Sequence, residues 1–298
     1  MTRPITVGLD GSPESMAAAD WAAREALRRG LPLRLVHAWE GLPADDEPVT
    51  LPELRVPQYW ARRILRGAQD RLGERYPQLY ISAEQLRKPP VPALVEAAMS
   101  AELLALGNQG LGGVGGMLAG SVALASVAQV RRPVVLVRAG AEETDGHVPD
   151  VAGSASRRTP YREVLVALDL GGTPDPLLEF AFEAARARGA LLRALYAWHL
   201  PPGHGDGSRR RAELPQREAV WALDSALEPW REKYPTVRVA GCTDHARPGQ
   251  AVLSAAREAG LLVVGRRVRR SALGTHTGRI THLAIRHVRC PVAVIAHD

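Results

Sequence analysis

The chain of 298 residues contains one arrangement of strand, turn and helix twice. The first half opens with the run Ile5-Thr6-Val7-Gly8-Leu9-Asp10, and the second half opens with Val164-Leu165-Val166-Ala167-Leu168-Asp169. A later strand ends in Val36-His37-Ala38-Trp39 in the first half and in Leu195-Tyr196-Ala197-Trp198 in the second. An internal repeat this regular predicts two tandem domains that share one plan.

Further elements recur in the same order in both halves. They are the helices 15–29 and 176–189, the strands 103–107 and 261–265, and the last strands 133–137 and 291–295. Strands that alternate with helices indicate a parallel sheet with helices on both faces. The predicted fold class is therefore α/β, with two tandem doubly wound, Rossmann-like domains of five parallel strands each.

The composition of the segments between these elements predicts where the domains begin and end. We expect a first domain at 1–138, a polar linker at 139–160 and a second domain at 161–298. Segments 41–57 and 201–215 are rich in proline, glycine and charge, which is typical of surface loops, and we expect them to rim the site. Proline precedes each last strand, which suits a sheet edge. We therefore expect the two domains to pack as a pseudo-dimer within the chain. A homodimer of two chains is a further possibility that the sequence leaves open.

The first half carries a glycine motif between a strand and a helix. Gly107-Asn108-Gln109-Gly110 is followed, after nine residues, by Gly120-Ser121. Glycine lets the main chain approach a ligand closely, and the free N–H groups at a helix start favour negative charge. No charged residue lies between Glu102 and Arg131, so a phosphate bound here would be held by main-chain and hydroxyl groups. The motif predicts an anion site at this turn.

Other interpretations of these glycines are weaker. Residues 110–115 satisfy G-x-G-x-x-G, but a dinucleotide site also needs an acidic residue about 20 positions later, where this chain has Pro133-Val134-Val135-Leu136-Val137. The phosphate-loop motif G-x-x-x-x-G-K-[ST] does not occur in the sequence. A merely flexible glycine loop stays open, although it leaves the glycine and serine at the helix start unexplained.

The second half departs from this motif. Gly265 lies 158 residues after Gly107, and the same spacing places Val268 at Gly110, Gly278 at Gly120 and Arg279 at Ser121. The surrounding sequence is Arg266-Arg267-Val268-Arg269-Arg270. Either arginines replace main-chain amides as phosphate ligands, or a solvated basic loop marks a domain that has lost nucleotide binding. The second hypothesis is favoured, because a Cβ stands where the main chain should approach a phosphate.

The spacing Gly-x2-Gly-x9-Gly-Ser after an apolar strand resembles that of the nucleotide-binding universal stress proteins, and the resemblance covers nearly the whole chain. It implies a fold like that of the adenine nucleotide alpha hydrolases. It also implies that Asp10 contacts the nucleotide, that the main chain of Ala38 binds the base, and that the glycines and Ser121 bind the phosphates and the ribose. The full set expected in the first domain is Gly8, Leu9, Asp10, Ala38, Gly107, Asn108, Gln109, Gly110, Gly120, Ser121 and Val122. The set expected in the second is Asp169, Ala197, Gly265, Arg266, Gly278 and Arg279.

The resemblance implies a function as well as a site. We expect an ATP-binding protein whose nucleotide occupancy regulates a response to stress or dormancy. One alternative is a slow ATPase or nucleotide hydrolase in which Asp10 holds magnesium on ATP; the other is a nucleotide-free interaction scaffold. No residue stands out as a base or nucleophile, so no catalytic residue is predicted, and weak ATP hydrolysis is the most that we expect.

Composition excludes other classes of function. The net charge of +6 and the pI of about 9.8 come almost entirely from arginine. Aromatic residues are only 5 % and none alternates with the arginines as a base-stacking surface requires, so nucleic acid is not an expected partner. Cys242 and Cys290 have neither a disulfide framework nor a metal-ligand spacing. With no membrane span and no room for a signal peptide before the first strand, a cytoplasmic protein is expected.

Overall fold

The computed structural model describes residues 2–40, 56–109, 121–172, 174–198, 208–268 and 277–298. The chain divides into two compact units, Met1–Ala141 and Glu142–Asp298. The first unit contains, in chain order, β1 (Ile5–Gly8), α1 (Pro13–Arg29), β2 (Leu33–Ala38), α2 (Val56–Arg75), β3 (Ile81–Leu86), α3 (Pro90–Met99), β4 (Leu103–Asn108), α4 (Ser121–Gln129) and β5 (Val134–Arg138). The second contains β6 (Glu163–Leu168), α5 (Asp175–Arg188), β7 (Leu192–Ala197), α6 (Ser208–Lys233), β8 (Val239–Asp244), α7 (Pro248–Ala255), β9 (Ala259–Arg267), α8 (Arg279–His287) and β10 (Val292–His297).

Each unit holds five described parallel strands. In the first unit the pairing gives the order β3-β2-β1-β4-β5. In the second unit it gives β8-β7-β6-β9-β10, which is the same order for the repeated elements. The strand order reverses between β1 and β4, and again between β6 and β9. A ligand of such a sheet binds outside the carboxyl ends of the strands at this reversal. The predicted α/β fold with parallel strands and alternating helices is confirmed.

Matching turns set the first helix of each unit in place. The Ser12 hydroxyl accepts a hydrogen bond from Ser15 N–H at 3.1 Å, which caps the start of α1 ahead of Pro13. Gly30 ends α1 with a φ of 64°, and Gly189 ends α5 with a φ of 58°. Only glycine adopts this left-handed conformation at little cost. The two helices therefore return their chains to the sheet in the same way.

The central strands form the core of each unit. Residues 103–106 of β4 and 164–168 of β6 are apolar without alternation, and Leu103, Leu104, Val164 and Val166 are fully buried. A continuous apolar run is typical of a parallel strand that is covered on both faces.

Two loop predictions differ from the structure. Helix α6 begins at Ser208, so the prediction of an irregular segment is wrong for 208–215, where three arginines and Pro215 had indicated a loop. Helix α2 begins at Val56, at the end of the other such segment. The rest of these two predictions, at 41–55 and 201–207, lies outside the described residues.

Much of the expected linker is an ordered part of the second unit. Thr144–Gly146 form a short 3-10 turn, and His147 pairs with Tyr161 in an isolated antiparallel bridge. His147 is 2 % exposed, and its Nδ1 lies 2.6 Å from the Thr159 carbonyl oxygen. The division of the chain into two compact units falls between Ala141 and Glu142, so residues 142–160 belong to the second unit.

Candidate functional site

A cavity of about 160 Å³ lies in the first domain, at the carboxyl ends of β1, β2 and β4. Its remaining walls come from the starts of α1, α3 and α4. Seven of the expected site residues line it: Gly8, Leu9, Asp10, Ala38, Gly107, Gln109 and Val122. Asn108 is 3 % exposed and does not line the cavity. Ser121 is the first residue of α4, and Gly110 and Gly120 lie outside the described residues.

Asp10 lines this cavity and also organises the turn after β1. Its Oδ1 accepts hydrogen bonds from the Ser12 N–H at 2.9 Å and from the Ser12 hydroxyl at 2.6 Å. Burial is the largest single influence and raises the pKa of the Asp10 carboxyl, but hydrogen bonds from Ser12, Ser15 and the Asp10 main chain together lower the pKa below its usual value. The group is therefore an anion at neutral pH, and both the turn role and a ligand role are compatible with its position.

The main chain of Ala38 extends past the end of β1. The Leu9 N–H donates to the Val36 carbonyl at 2.8 Å, and Gly8 is the last residue of β1 paired with β2. Hydrogen-bonding groups alternate sides along a strand, so the N–H and C=O of Ala38 point to the same side as those of Val36. They therefore point toward the space above the end of β1, where Asp10 lies.

The glycine at 107 has a packing role in addition to its place in the cavity wall. A Cβ at this position would lie 2.6 Å from the main-chain carbon of Glu14 and 2.6 Å from the nitrogen of Ser15. The start of α1 thus packs directly on β4, and a larger residue at 107 would displace the helix. This close approach requires glycine whether or not a phosphate is bound.

Several lining residues were not among the expected ones. They are Ser12, Glu14 and Ser15 at the start of α1, Val36 and His37 in β2, Leu106 in β4, and Pro90, Leu94 and Ala123 from α3 and α4. His37 Nδ1 donates to the Leu9 carbonyl at 2.7 Å, which joins the end of β2 to the residue that follows β1. The repeat offered a signal for α3, because Pro90 and Pro248 are 158 residues apart and both lie at their crevices.

The second domain has a crevice at the equivalent place, and it is much larger. Its volume is about 1710 Å³, and it lies at the carboxyl ends of β6, β7 and β9 and the starts of α7 and α8. Five of the six expected residues line it: Asp169, Ala197, Gly265, Gly278 and Arg279. Arg266 is 5 % exposed and does not line it, so the structure does not place this side chain where a ligand would bind.

Main-chain groups of the second crevice are committed to the fold. The N–H of Val268, the residue at the position of Gly110, donates to the His297 carbonyl at 2.7 Å. The Gly265 carbonyl accepts a hydrogen bond from the buried Thr281 hydroxyl at 2.8 Å. Gly278 precedes α8 with a φ of 81°, which favours glycine. The glycine at the helix start is retained, but the amide at 268 is not available to a phosphate.

Side-chain charge also differs between the crevices. In the second, Arg267 donates to Asp169 Oδ2 at 2.8 Å, and the two side chains are 46 % and 69 % exposed. Arg267 occupies the position of Gln109, and Asp169 that of Asp10.

Within the described ranges, no group of three or more histidine, cysteine, aspartate or glutamate side chains could hold a metal ion. In that same part of the chain, no helix is long and apolar enough to cross a membrane.

Comparison with known proteins identifies the family. The model of the universal stress protein family matches residues 1–138 and again residues 160–296. A universal stress protein of Mycolicibacterium smegmatis is 30 % identical, over 98 % of this chain and 96 % of that protein. The chain therefore belongs to the universal stress protein family, and it carries two tandem domains of that family.

A solved structure shows the same fold. A universal stress protein from Archaeoglobus fulgidus is similar with a TM-score of 0.66 at 15 % identity, and the match covers 99 % of this chain and 98 % of that one. A universal stress protein solved in complex with cAMP is 29 % identical, covers 47 % of this chain and 98 % of its own, and has a TM-score of 0.36.

Proposed function

We propose that the first domain binds ATP, or another adenine nucleotide, and that its occupancy acts as a signal in a cytoplasmic response to stress or dormancy. The observation that carries this proposal is the convergence of Asp10, the Ala38 main chain, Gly107 and the start of α4 on one cavity. These groups come from four separate elements of the chain. Such convergence at the strand-order reversal is typical of a nucleotide site in an α/β sheet.

Each group matches one part of a nucleotide. The N–H and C=O of Ala38 can pair with the adenine edge, and the Asp10 carboxylate can accept a hydrogen bond from a ribose hydroxyl or hold magnesium on the phosphates. The start of α4 offers N–H groups to a phosphate, and a helix start favours an anion. The cavity of about 160 Å³ is smaller than the roughly 300–1,000 Å³ typical of ligand pockets. It therefore suits the adenosine end, with the phosphates extending toward the glycine motif.

The lining favours binding over catalysis. The histidine that faces the cavity, His37, uses its Nδ1 to hold the Leu9 carbonyl. Asp10 Oδ1 is engaged by Ser12. The structural roles of His37 Nδ1 and Asp10 Oδ1 support the proposal of a nucleotide sensor whose ligand is bound rather than consumed.

Calorimetric titration of the full chain with ATP tests the proposal. Replacement of Ala38 by phenylalanine should weaken ATP binding roughly thirtyfold, about 2 kcal/mol, because the larger side chain fills a small cavity. Adenosine should compete with ATP in the wild-type protein, since base and ribose provide much of the recognition.

The matched control is Ala197→Phe, the same change at the equivalent position of the second domain. It should leave ATP affinity unchanged. If the wild-type chain binds no adenine nucleotide, or if the two variants weaken ATP binding equally, the first domain is not the nucleotide site and a nucleotide-free scaffold becomes the better account.

A further inference from the structure

The second crevice is basic where the first is acidic. Arg247, Arg267 and Arg279 line it, together with His282 and His297, and Asp169 is its only acidic lining residue among those described. The described lining of the first cavity contains Asp10 and Glu14 and no arginine or lysine. A concave surface lined by charge of one sign concentrates ligands of the opposite sign.

The three arginines come from different elements and surround a large space. Arg247 immediately precedes α7, Arg267 ends β9, and Arg279 begins α8. The volume of about 1710 Å³ exceeds the range of roughly 300–1,000 Å³ for typical ligand pockets. Several guanidinium groups spread over one crevice match a ligand with several anionic groups, since each can bind a phosphate through two parallel hydrogen bonds.

The ion pair between Arg267 and Asp169 is weak enough to be exchanged. Both side chains are well exposed, and ion pairs in contact with solvent add little to stability because water and salt screen them. Arg267 is therefore held at the crevice by a partner that a phosphate can replace. Asp169 stands at the position of Asp10, where a carboxylate would contact a ribose. Its carboxylate is already engaged by Arg267.

We infer that the second crevice is a separate binding site for a small polyphosphate, recognised through its phosphate groups by Arg247, Arg267 and Arg279. Asp169 serves as the internal counter-ion that Arg267 leaves when the ligand binds. The Val268 amide is bonded to His297, so the arginine side chains take the place of a main-chain cradle. The site does not depend on nucleotide binding by the first domain.

Calorimetric titration of the full chain with inorganic tripolyphosphate tests this site. The wild-type chain should bind it with an affinity that falls as salt increases, because the contacts are ionic. Arg267→Gln should weaken binding at least tenfold. Arg257→Gln, an exposed arginine of the same domain outside the crevice, should bind like the wild type. Asp169→Asn should strengthen binding several-fold, because it removes the competing carboxylate.

The Ala38→Phe variant separates this site from the nucleotide site. This variant should lose the binding of ATP for which adenosine competes, and it should retain wild-type affinity for tripolyphosphate. The inference is overturned if the wild type binds no tripolyphosphate, if Arg267→Gln binds it as well as Arg257→Gln does, or if Asp169→Asn weakens it. Thermal melting of the arginine variants confirms that each is folded, and Arg247→Gln provides a second variant if Arg267→Gln is not.

Discussion

The two crevices occupy the same place in the same fold, and they differ in what faces the ligand. The cavity of the first domain is small, and Asp10 and Glu14 line it. The crevice of the second domain is large, and three arginines line it. The aspartate at the first turn is present in both. In both domains it accepts a hydrogen bond from the N–H two residues later, that of Ser12 or of Gly171. In the first domain it also accepts from the Ser12 hydroxyl, whereas in the second it also pairs with Arg267.

This difference separates residues that hold the fold from residues that select a ligand. The helix-ending Gly30 and Gly189 keep their left-handed conformation in both domains. Pro90 and Pro248 likewise begin equivalent helices. The residue types differ at two positions where a ligand would lie. Gln109 of the first domain corresponds to Arg267 of the second, and Ser121 corresponds to Arg279. Duplication therefore preserved the frame while the chemistry of the crevice changed.

The packing of the glycines at 107 and 265 offers the largest expected difference between the domains. Gly107→Ala places a Cβ 2.6 Å from main-chain atoms of α1, which cannot move without the helix. We expect it to destabilise the first domain by about 3 kcal/mol. Gly265→Ala meets the side chains of His297 and Leu177, at 2.7 and 3.0 Å, and these can shift. We expect about 1 kcal/mol for that variant.

Hydrogen exchange of the amides of β1 and β4, and of β6 and β9, measures these effects domain by domain. Equal loss of protection in the two variants would show that the contact of α1 with Gly107 does not distinguish the domains.

The sequence predicted the frame well and the crevices only in part. Apolar runs predicted the positions of the strands and their parallel arrangement. Segments that recur in both halves, such as His37-Ala38-Trp39, predicted the duplication. Arg266 and Arg267 could not be told apart in the sequence, because burial of the one and exposure of the other depend on the position where β9 ends. Helix α6 was missed at its start because Pro215 disfavours a helix interior, and packing of the later apolar residues Leu223 and Leu227 overrides that local preference.

A smaller difference concerns Tyr76 and its counterpart Tyr234. The Tyr76 hydroxyl donates to Asp20 at 2.8 Å, whereas the Tyr234 ring stacks on Phe182 with centroids 5.4 Å apart. Tyr76→Phe should lower the free energy of unfolding by about 1 kcal/mol, because a partly buried hydrogen bond is lost. Tyr234→Phe keeps the stacked ring and should cost less. Urea unfolding followed by circular dichroism measures both.

The same hydrogen bond predicts a dependence on pH. Burial, the hydrogen bond to Asp20 and the charge of Asp20 raise the pKa of Tyr76 from 10.0 to about 12. A raised pKa stabilises the folded protein below pH 10, and this contribution is lost as the pH rises toward 12. The difference between the wild type and Tyr76→Phe should therefore shrink over that window. A constant difference across it would mean that Tyr76 ionises alike in the folded and unfolded chain.

The equivalent aspartates provide the most direct test of the account. Asp10→Asn and Asp169→Asn are the same isosteric change at the same position of the two domains, and each variant is titrated with ATP in competition with adenosine. We expect Asp10→Asn to weaken ATP about tenfold, because a charge-assisted contact is lost. We expect Asp169→Asn to leave adenosine-competed ATP binding at the wild-type level. Equal weakening by both variants, or no effect of Asp10→Asn, would contradict the claim that the two domains use this aspartate for different purposes.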